Sequence, residues 1–298
     1  MSNVVEVKGL TKRYKDATAV NGVTFTLEEN KIYGLLGRNG AGKTTIMHML
    51  TAQAFPTGGE LSVFGEQPYE NNRVLTRMCF IKESQKYPDM YRVIDVFGAG
   101  ASFFPRWDND YALALAQDFQ LPLKRRMKKL SRGMQSAVGI IVGLASRAPL
   151  TIFDEPYLGL DAVARSLFYD RLLEDYAEHP RTIVLSTHLI DEVSKLLEHV
   201  LVIDRGELLL NEDAEALRGQ ASTVVGAASK AEAFSIGRQV IHRESFGGLA
   251  SLTFIGRLDA EDRKQAEQLG LELAPVSLQQ LIVHLTRNNE SNGKAGSR

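Results

Sequence analysis

The residues with the clearest chemical potential form the loop Gly37-Arg38-Asn39-Gly40-Ala41-Gly42-Lys43-Thr44-Thr45, which follows a short apolar run. Its three glycines allow the backbone to turn tightly, so that its N–H groups converge. A helix that begins at the end of such a loop adds about half a positive charge. This concavity suits a triphosphate, with Lys43 on the β- and γ-phosphates and Thr44 on a Mg²⁺ ion. A glycine-rich connection without a ligand is the alternative.

Two adjacent carboxylates, Asp154 and Glu155, follow a second apolar run at 150–153. Ligands of parallel sheets gather at the carboxyl ends of the strands, so we expect both side chains to face the same ligand. Asp154 suits a hydrogen bond to the water shell of Mg²⁺. Glu155 suits the base that orients and deprotonates an attacking water. Two solvated surface acids are the alternative.

The positions of two further side chains make them candidate contacts of a nucleotide. His188 ends the apolar strand predicted at 182–188, where it could hydrogen-bond a γ-phosphate or its attacking water, with a helix predicted at 189–198 to hold it in place. A histidine with a purely structural hydrogen bond fits the same pattern. Tyr14 is predicted in a polar loop upstream, where its ring could stack on a base or lie at the edge of the core.

Several elements must position these groups. Residues 4–36 alternate in short apolar and polar runs, which predicts an antiparallel β segment. Aromatic and helix-forming residues within about 84–135 predict an inserted helical subdomain, whose aromatics serve either as core or as a partner surface. Ser131 is predicted to cap the buried helix that leads back to the second apolar strand.

The C-terminal part carries no recognisable motif. Its pattern over 219–287 predicts a small ferredoxin-like β-α-β-β-α-β domain that ends in a helix at 278–287. Residues 288–298 are polar and rich in glycine and serine, which predicts a disordered tail. The preceding segment, 1–218, is predicted to form the nucleotide-binding domain.

Composition narrows the class of protein. The chain has 298 residues, a hydrophobic content of 44% and a formal net charge of −1, without the basic excess of a non-specific nucleic-acid binder, so no nucleic acid is expected as a partner. Cys79 is the only cysteine and is expected to be buried. We see no signal peptide, and the longest apolar stretch, 134–153, is interrupted by Arg147 and Pro149. We therefore expect a cytoplasmic protein that depends on another chain for any membrane span.

These motifs together resemble the ATP-binding subunits of ABC transporters over residues 3–210. The resemblance implies an α/β fold: a P-loop NTPase core of ABC type with an antiparallel β subdomain and an inserted helical subdomain, plus a small α+β C-terminal domain. It implies ATP and Mg²⁺ as cofactors. It implies a catalytic role for Glu155, His188 and Lys43. It implies that Thr44, Asp154 and Glu83 contact the metal ion. The residues that it implies as nucleotide contacts are Tyr14, Gly37, Asn39, Gly40, Ala41, Gly42, Lys43, Thr44, Thr45, Ser131, Gly133 and Asp161.

The resemblance also implies partners. Such subunits work as head-to-tail dimers of identical or different chains, in which Ser131 and Gly133 of one protomer cap the γ-phosphate on the P-loop of the other. An integral membrane permease subunit completes the assembly. The chain is then expected to be peripheral at the inner face of the cell membrane, where ATP hydrolysis powers transport.

Two positions depart from the family pattern. The stretch 130–135, Leu-Ser-Arg-Gly-Met-Gln, resembles the family's signature Leu-Ser-Gly-Gly-Gln, and Arg132 stands where the signature usually has glycine. The family's Q-loop is expected after the strand predicted at 78–81, and Glu83 occupies its glutamine position. The stretches 83–88 and 275–281 resemble bacterial exporters of drugs, bacteriocins or antibiotic peptides. An importer ATPase, a soluble ABC-type ATPase in DNA repair or on the ribosome, and a regulatory protein without turnover are the alternatives.

Overall fold

The computed structural model describes residues 2–83, 85–256 and 258–295, with side chains up to Thr286. The chain divides into two units, residues 1–188 with 196–211 and residues 189–195 with 212–298. The chain passes between the two units at 188–189, 195–196 and 211–212, whereas we predicted one boundary at 218–219.

The first unit contains two sheets and an inserted helical segment. In chain order its elements are β1 (Asn3–Tyr14), β2 (Ala17–Glu28), β3 (Ile32–Leu36), α1 (Lys43–Leu50), β4 (Gly58–Val63), α2 (Asn72–Leu75), β5 (Met78–Ile81), α3 (Val93–Phe103), α4 (Asn109–Asp118), a 3₁₀ turn (Met127–Lys129), α5 (Arg132–Ala145), β6 (Leu150–Asp154), α6 (Ala162–Glu178), β7 (Thr182–Thr187), β8 (His199–Asp204) and β9 (Glu207–Asp213).

The larger sheet has six strands in the order β5-β6-β7-β3-β8-β9. Its central strands β3, β6 and β7 pair in parallel and are buried along their whole length, so both of their faces can be apolar. The smaller sheet has the order β2-β1-β4 and is antiparallel. The antiparallel segment predicted at 4–36 is confirmed for β1 and β2, whereas residues 32–36 form β3 of the parallel sheet. The predicted ABC-type α/β fold is confirmed.

The helical insertion lies between β5 and β6, and it contains α3, α4 and α5. Buried side chains on all three helices make its core, among them Phe97 and Leu115. Gly100 allows close packing, since a β-carbon there would lie 2.5 Å from the ring of Trp107. Cys79 on β5 is buried, and burial raises the pKa of its thiol to about 12, so it is an inert core residue.

The second unit has one antiparallel sheet in the order β11-β12-β10-β13. Its elements are α7 (Ile190–Val193), α8 (Ala214–Leu217), β10 (Ala221–Ala227), α9 (Ala228–Ser235), β11 (Gln239–Phe246), β12 (Leu249–Ile255), α10 (Ala260–Gln268), β13 (Glu272–Pro275) and α11 (Leu278–Ala295). From β10 to β13 the element order is that of the ferredoxin-like motif. Phe234 of α9 packs on Phe254 of β12 in a core of its own.

Two helices differ in length from their predictions. The helix predicted at 189–198 is only the single turn Ile190–Val193, and the hydroxyl of Ser194 bonds the carbonyl of Asp191 at its end. The last helix was predicted to end at 287, but it continues to Ala295. An existing helix propagates through polar residues at little cost, so composition placed the start of the tail too early. Residues 296–298 of the predicted tail lie outside the described residues.

We find no membrane-spanning candidate among the helices at 2–83, 85–256 and 258–295: none combines the necessary length with an apolar composition.

Candidate nucleotide site

Three neighbouring parallel strands end at one edge of the large sheet. In the register, Leu36 of β3 lies opposite Thr187 of β7, and Asp154 of β6 lies opposite Ser186 of β7. The glycine-rich loop follows β3, the carboxylates close β6, and His188 follows β7. The strand order therefore brings the three groups together although they are distant in sequence.

A cavity of about 270 Å³ opens at this edge. It is lined by Ala19, Asn39, Gly40, Ala41, Gly42, Lys43, Thr44, Thr45, Glu83, Asp154 and Glu155. The predicted phosphate-binding loop thus shares one cavity with the predicted metal ligands and the predicted base.

The loop takes its shape from glycines in conformations that other residues avoid. The φ angles of Gly37, Gly40 and Gly42 are 149°, 79° and 108°. A β-carbon on Gly37 would overlap the carbonyl oxygen of Ile203, and one on Gly42 would lie 2.5 Å from the carbonyl oxygen of Ala19. Helix α1 begins directly after Gly42, so its free N–H groups face the cavity.

Lys43 lies inside the loop, with 6% of its side chain exposed. Its ammonium donates hydrogen bonds to the carbonyls of Gly37 at 2.7 Å and Arg38 at 3.1 Å. Burial lowers the pKa of Lys43, although the nearby carboxylates of Glu155 and Asp154 act in the opposite direction. A phosphate would therefore be a better partner for this charge than the loop carbonyls are.

The two metal candidates from different elements are in direct contact. The hydroxyl of Thr44, at the start of α1, donates a 2.8 Å hydrogen bond to Oδ2 of Asp154, which is 4% exposed. Hydroxyl and carboxylate oxygens are the hard donors that Mg²⁺ prefers. The chemistry of this pair therefore fits a Mg²⁺ ion, which Thr44 and Asp154 would hold.

Glu155 and His188 form a second contact pair. Nδ1 of His188 lies 3.1 Å and 3.0 Å from the two carboxylate oxygens of Glu155. Glu155 is buried, whereas His188 is about half exposed. The φ of Glu155 is +48°, a left-handed conformation that costs about 1 kcal/mol or more for a residue with a side chain. The hydrogen bond from its N–H to the carbonyl of Ser186 holds this conformation.

One residue of the site was missed from the sequence. Tyr157, 3% exposed, contacts both members of the pair: its hydroxyl bonds Glu155 and lies 3.4 Å from Nδ1 of His188. An aromatic residue between a carboxylate and a glycine turn has no distinctive spacing. Its place in the loop between Glu155 and Asp161 was the only signal that the sequence offered.

The two departures from the family pattern meet in the structure. The guanidinium of Arg132 lies 3.6 Å from the carboxylate of Glu83 in an exposed ion pair. Glu83 also lines the cavity. Arg132 therefore compensates a third carboxylate beside Asp154 and Glu155.

The signature residues lie at the start of α5. Ser131 caps this helix, as predicted, and accepts a hydrogen bond from the N–H of Met134 at 3.2 Å. A β-carbon on Gly133 would lie 2.5 Å from the carbonyl oxygen of Gly159, so only glycine fits there. Asp161 caps α6 through the N–H of Ala164. Ser131, Gly133 and Asp161 are absent from the described lining of the cavity.

Tyr14 is not in a polar loop, as we predicted, but ends strand β1, because the hairpin to β2 is tight and pairs Tyr14 with Ala17. Its ring is 48% exposed, and the ammonium of Lys12 lies 4.9 Å from its centre. Tyr14 also does not belong to the described cavity lining.

Comparisons with known proteins agree with this geometry. A family model described as ABC transporter matches residues 20–158. The chain is 32% identical to the bacitracin transport ATP-binding protein BcrA of Bacillus licheniformis, over 70% of this chain and 69% of that protein. It is 22% identical to the ABC transporter ATP-binding protein YtrB of Bacillus subtilis, over 94% and 97% of the two chains.

Solved structures share the fold. The ATP-binding subunit of an ABC transporter superposes with a TM-score of 0.66 at 24% identity, over 72% of this chain and 91% of that one. A dimeric ATP-binding cassette with bound ADP and Pi gives 0.63 at 22% identity, over 70% and 98%. From its cassette fold, its P-loop cavity and its relatives, we conclude that the chain belongs to the ATP-binding subunits of ABC transporters, a family of ATPases.

Proposed function

We propose that this chain powers the export of a drug or an antimicrobial peptide through a separate membrane subunit. The observation that carries the ATPase part is the single cavity that joins the P-loop, the Thr44–Asp154 pair and Glu155. The export direction is supported by two relatives, a bacitracin transport protein and, at 31% identity, the Nod factor export ATP-binding protein I of a Rhizobium species.

We propose that residues 39–45 bind the phosphates of ATP. The N–H groups of the loop and the start of α1 face the anion, and Lys43 exchanges its carbonyl partners for phosphate oxygens. Thr44 and Asp154 would hold Mg²⁺, which would neutralise charge on the phosphates. Glu83 lines the same cavity, and its carboxylate is proposed to contact the same ion.

Glu155 is proposed as the base that orients the attacking water and takes its proton. Its burial and its position beside Lys43 and Asp154 support this role. His188 contacts both oxygens of Glu155 and is half exposed, so it can hold the carboxylate on one side and reach a γ-phosphate on the other. Tyr14 is proposed as the base-stacking residue on grounds of the family resemblance and its exposure.

We propose that two subunits, identical or different, form a head-to-tail dimer. Ser131 and Gly133 lie at the N-terminus of the 14-residue helix α5, where free N–H groups suit an anion, and this supports a role on the nucleotide of a partner. Asp161, in the neighbouring loop, would lie at the same interface. The membrane subunit, and a position at the inner face of the cell membrane, are inferred from the transporter relatives.

Glu155→Gln tests the enzymatic core. This variant should bind ATP as the wild type does and lose at least about 10²-fold of turnover, the lower range for a positioned base. Wild-type turnover would refute the base assignment. In a mixed dimer of one Lys43→Ala and one Ser131→Ala protomer, at most one of the two nucleotide sites should be intact, because each site takes its P-loop from one protomer and Ser131 from the other. Normal ATP hydrolysis by pure Ser131→Ala protein would contradict the dimer model.

The transport role needs a test in cells. Tagged Glu155→Gln protein, trapped with ATP and purified in detergent, should carry a polytopic membrane protein that mass spectrometry identifies. Deletion of the gene should increase sensitivity to a peptide antibiotic such as bacitracin, and a Lys43→Ala copy should not restore resistance. Recovery of ribosomal or DNA-bound proteins instead would contradict the transport role and leave the ATPase chemistry intact.

A further inference from the structure

We propose that Tyr157 is a positioning residue for ATP hydrolysis, whose hydroxyl holds the Glu155 carboxylate in the orientation that the reaction needs. The proposal rests on the proposed role of Glu155 as the base. Tyr157 lies in the loop between β6 and α6, and its side chain is 3% exposed. Tyr157 is absent from the described lining of the cavity, whereas Glu155 belongs to it, so we assign Tyr157 a role through its neighbour.

The hydroxyl of Tyr157 connects the ends of two neighbouring strands. It bonds Oε2 of Glu155, which follows β6. It lies 2.6 Å from Oγ1 of Thr187, at the end of β7, and accepts a 3.3 Å hydrogen bond from the backbone N–H of His188. One oxygen atom therefore joins the proposed base to the strand that carries the proposed γ-phosphate contact.

The direction of these hydrogen bonds follows from the number of protons. A phenol has one proton to donate, and an ionised carboxylate only accepts. Tyr157 therefore donates to Glu155, and the hydroxyl of Thr187 donates to Tyr157. The result is a chain of donors that runs from β7 to the carboxylate, in which each hydrogen bond polarises the next.

The phenol keeps its proton in this environment. Burial, together with the hydrogen bond to Glu155, raises the pKa of Tyr157 far above its usual range. A tyrosine that stays protonated is a fixed donor and does not compete with Glu155 for the proton of the attacking water. This limits its role to orientation.

The two donors on Glu155 differ in exposure, which gives them different roles. His188 is about half exposed and can turn toward an arriving phosphate. Tyr157 is buried, and its backbone carbonyl accepts a 2.9 Å hydrogen bond from the N–H of Leu160, which stabilises the turn around it. Tyr157 is therefore the contact that remains on the carboxylate once His188 has moved.

Tyr157→Phe tests the proposal because it removes one oxygen and keeps the ring. We expect kcat of the full-length protein with Mg²⁺ and ATP to fall by about 5- to 100-fold, since a small misplacement of a catalytic group costs up to ~10²-fold. KM for ATP should not change, because the phosphate loop is untouched. Tyr111→Phe is the matched control: Tyr111 lies on α4 in the helical insertion, and its hydroxyl donates to the carbonyl of Arg171 on α6. This variant should retain wild-type kcat.

The Glu155→Gln background separates positioning from a general packing effect. Residues that act as one unit are not additive, so Tyr157→Phe should cause no further loss of turnover there. An equal fold-loss in both backgrounds, or wild-type kcat in Tyr157→Phe, would overturn the proposal. If Glu155→Gln itself retains full turnover, the base assignment fails, which is a distinct result.

A second variant guards against a folding defect. Thr187→Val removes the hydroxyl that donates to Tyr157 and leaves the phenol on Glu155 in place. We expect a smaller fall in kcat than for Tyr157→Phe, again with unchanged KM. If Tyr157→Phe proves unfolded by circular dichroism, wild-type kcat in Thr187→Val would overturn the proposal.

Discussion

Replacing Lys43 with methionine tests the phosphate site in two independent ways. Without nucleotide the ammonium is buried, and burial lowers its pKa. Methionine keeps most of the length of the side chain and removes the charge. We expect Lys43→Met to be at least as stable as the wild type without nucleotide, and to lose the stabilisation that ATP gives to the wild type.

Two opposing contributions determine how Lys43→Met changes the free energy of unfolding when no nucleotide is bound. The hydrogen bonds from Lys43 to the carbonyls of Gly37 and Arg38 are charge-assisted, and each stabilises by about 1.5–3 kcal/mol. Removing the ammonium from water costs several kcal/mol, in the range of roughly 3–5 kcal/mol for an uncompensated buried charge. Burial lowers the pKa of Lys43 although the carboxylates of Glu155 and Asp154 raise it, so the lost hydration outweighs the attraction of these two carboxylates.

The contribution of Lys43 to the stability of the folded protein should depend on pH. Because the pKa of Lys43 is lower in the folded protein than in the unfolded chain, the destabilisation by the buried charge is fully present below the folded pKa. As the pH rises through the folded pKa toward the unfolded pKa, the folded lysine loses its proton first and the penalty disappears. The stability of the wild type relative to Lys43→Met should therefore rise in the alkaline range.

Thermal unfolding with and without Mg²⁺ and ATP measures both effects. At about 100 times Kd, ATP should stabilise the wild type by ~2.7 kcal/mol, which corresponds to a Tm increase of roughly 5–11 °C for a domain of ~150–250 residues. Lys43→Met should show no such increase, and the exposed control Lys8→Met should behave as the wild type. A full ATP shift in Lys43→Met would refute the phosphate role. A loss of more than about 2 kcal/mol without nucleotide, a large value for one substitution, would refute the argument from burial.

Three further predictions concern the surroundings of the loop. Thr44→Val removes a hydroxyl from the proposed metal shell and should raise the Mg²⁺ concentration for half-maximal ATPase activity by at least about 10-fold, while an unchanged Mg²⁺ titration would contradict it. A double-mutant cycle of Glu83→Gln and Arg132→Gly in urea unfolding should give a coupling below about 1 kcal/mol, because the pair is exposed, and a coupling above ~2 kcal/mol would show that the pair is not merely a surface contact. Gly133→Ala should lower stability by about 1–3 kcal/mol, because its β-carbon would displace the backbone at Gly159, and wild-type stability would refute this packing.

Much of the site could be predicted because its residues directly follow the carboxyl ends of apolar strands. An apolar run followed by a glycine-rich loop, or by Asp154 and Glu155, indicates a buried parallel strand with a functional residue at its carboxyl end. The sequence alone does not show which strands are neighbours. The order β6-β7-β3 brings His188 beside Glu155, and the hydrogen-bonded pairing of these strands is a long-range feature that local pattern does not encode.

The features that were missed depend on tertiary contact. Arg132 and Glu83 each looked like an isolated departure from the family pattern, and only the fold brings them to 3.6 Å. We predicted Tyr14 in a loop because its neighbours are polar, yet it pairs with Ala17 at the exposed end of a hairpin. Tyr157 carries no pattern at all, since its role depends on where Thr187 lies.

The loop after β6 also links the proposed base to the signature helix within one protomer. Beyond Tyr157 the same loop meets α5: the hydroxyl of Ser136 donates a 2.6 Å hydrogen bond to the carbonyl of Leu158, and the absent side chain of Gly133 leaves room for the carbonyl of Gly159. These contacts connect, within one protomer, the loop that carries the proposed base and the helix start that we propose to contact the nucleotide of a partner.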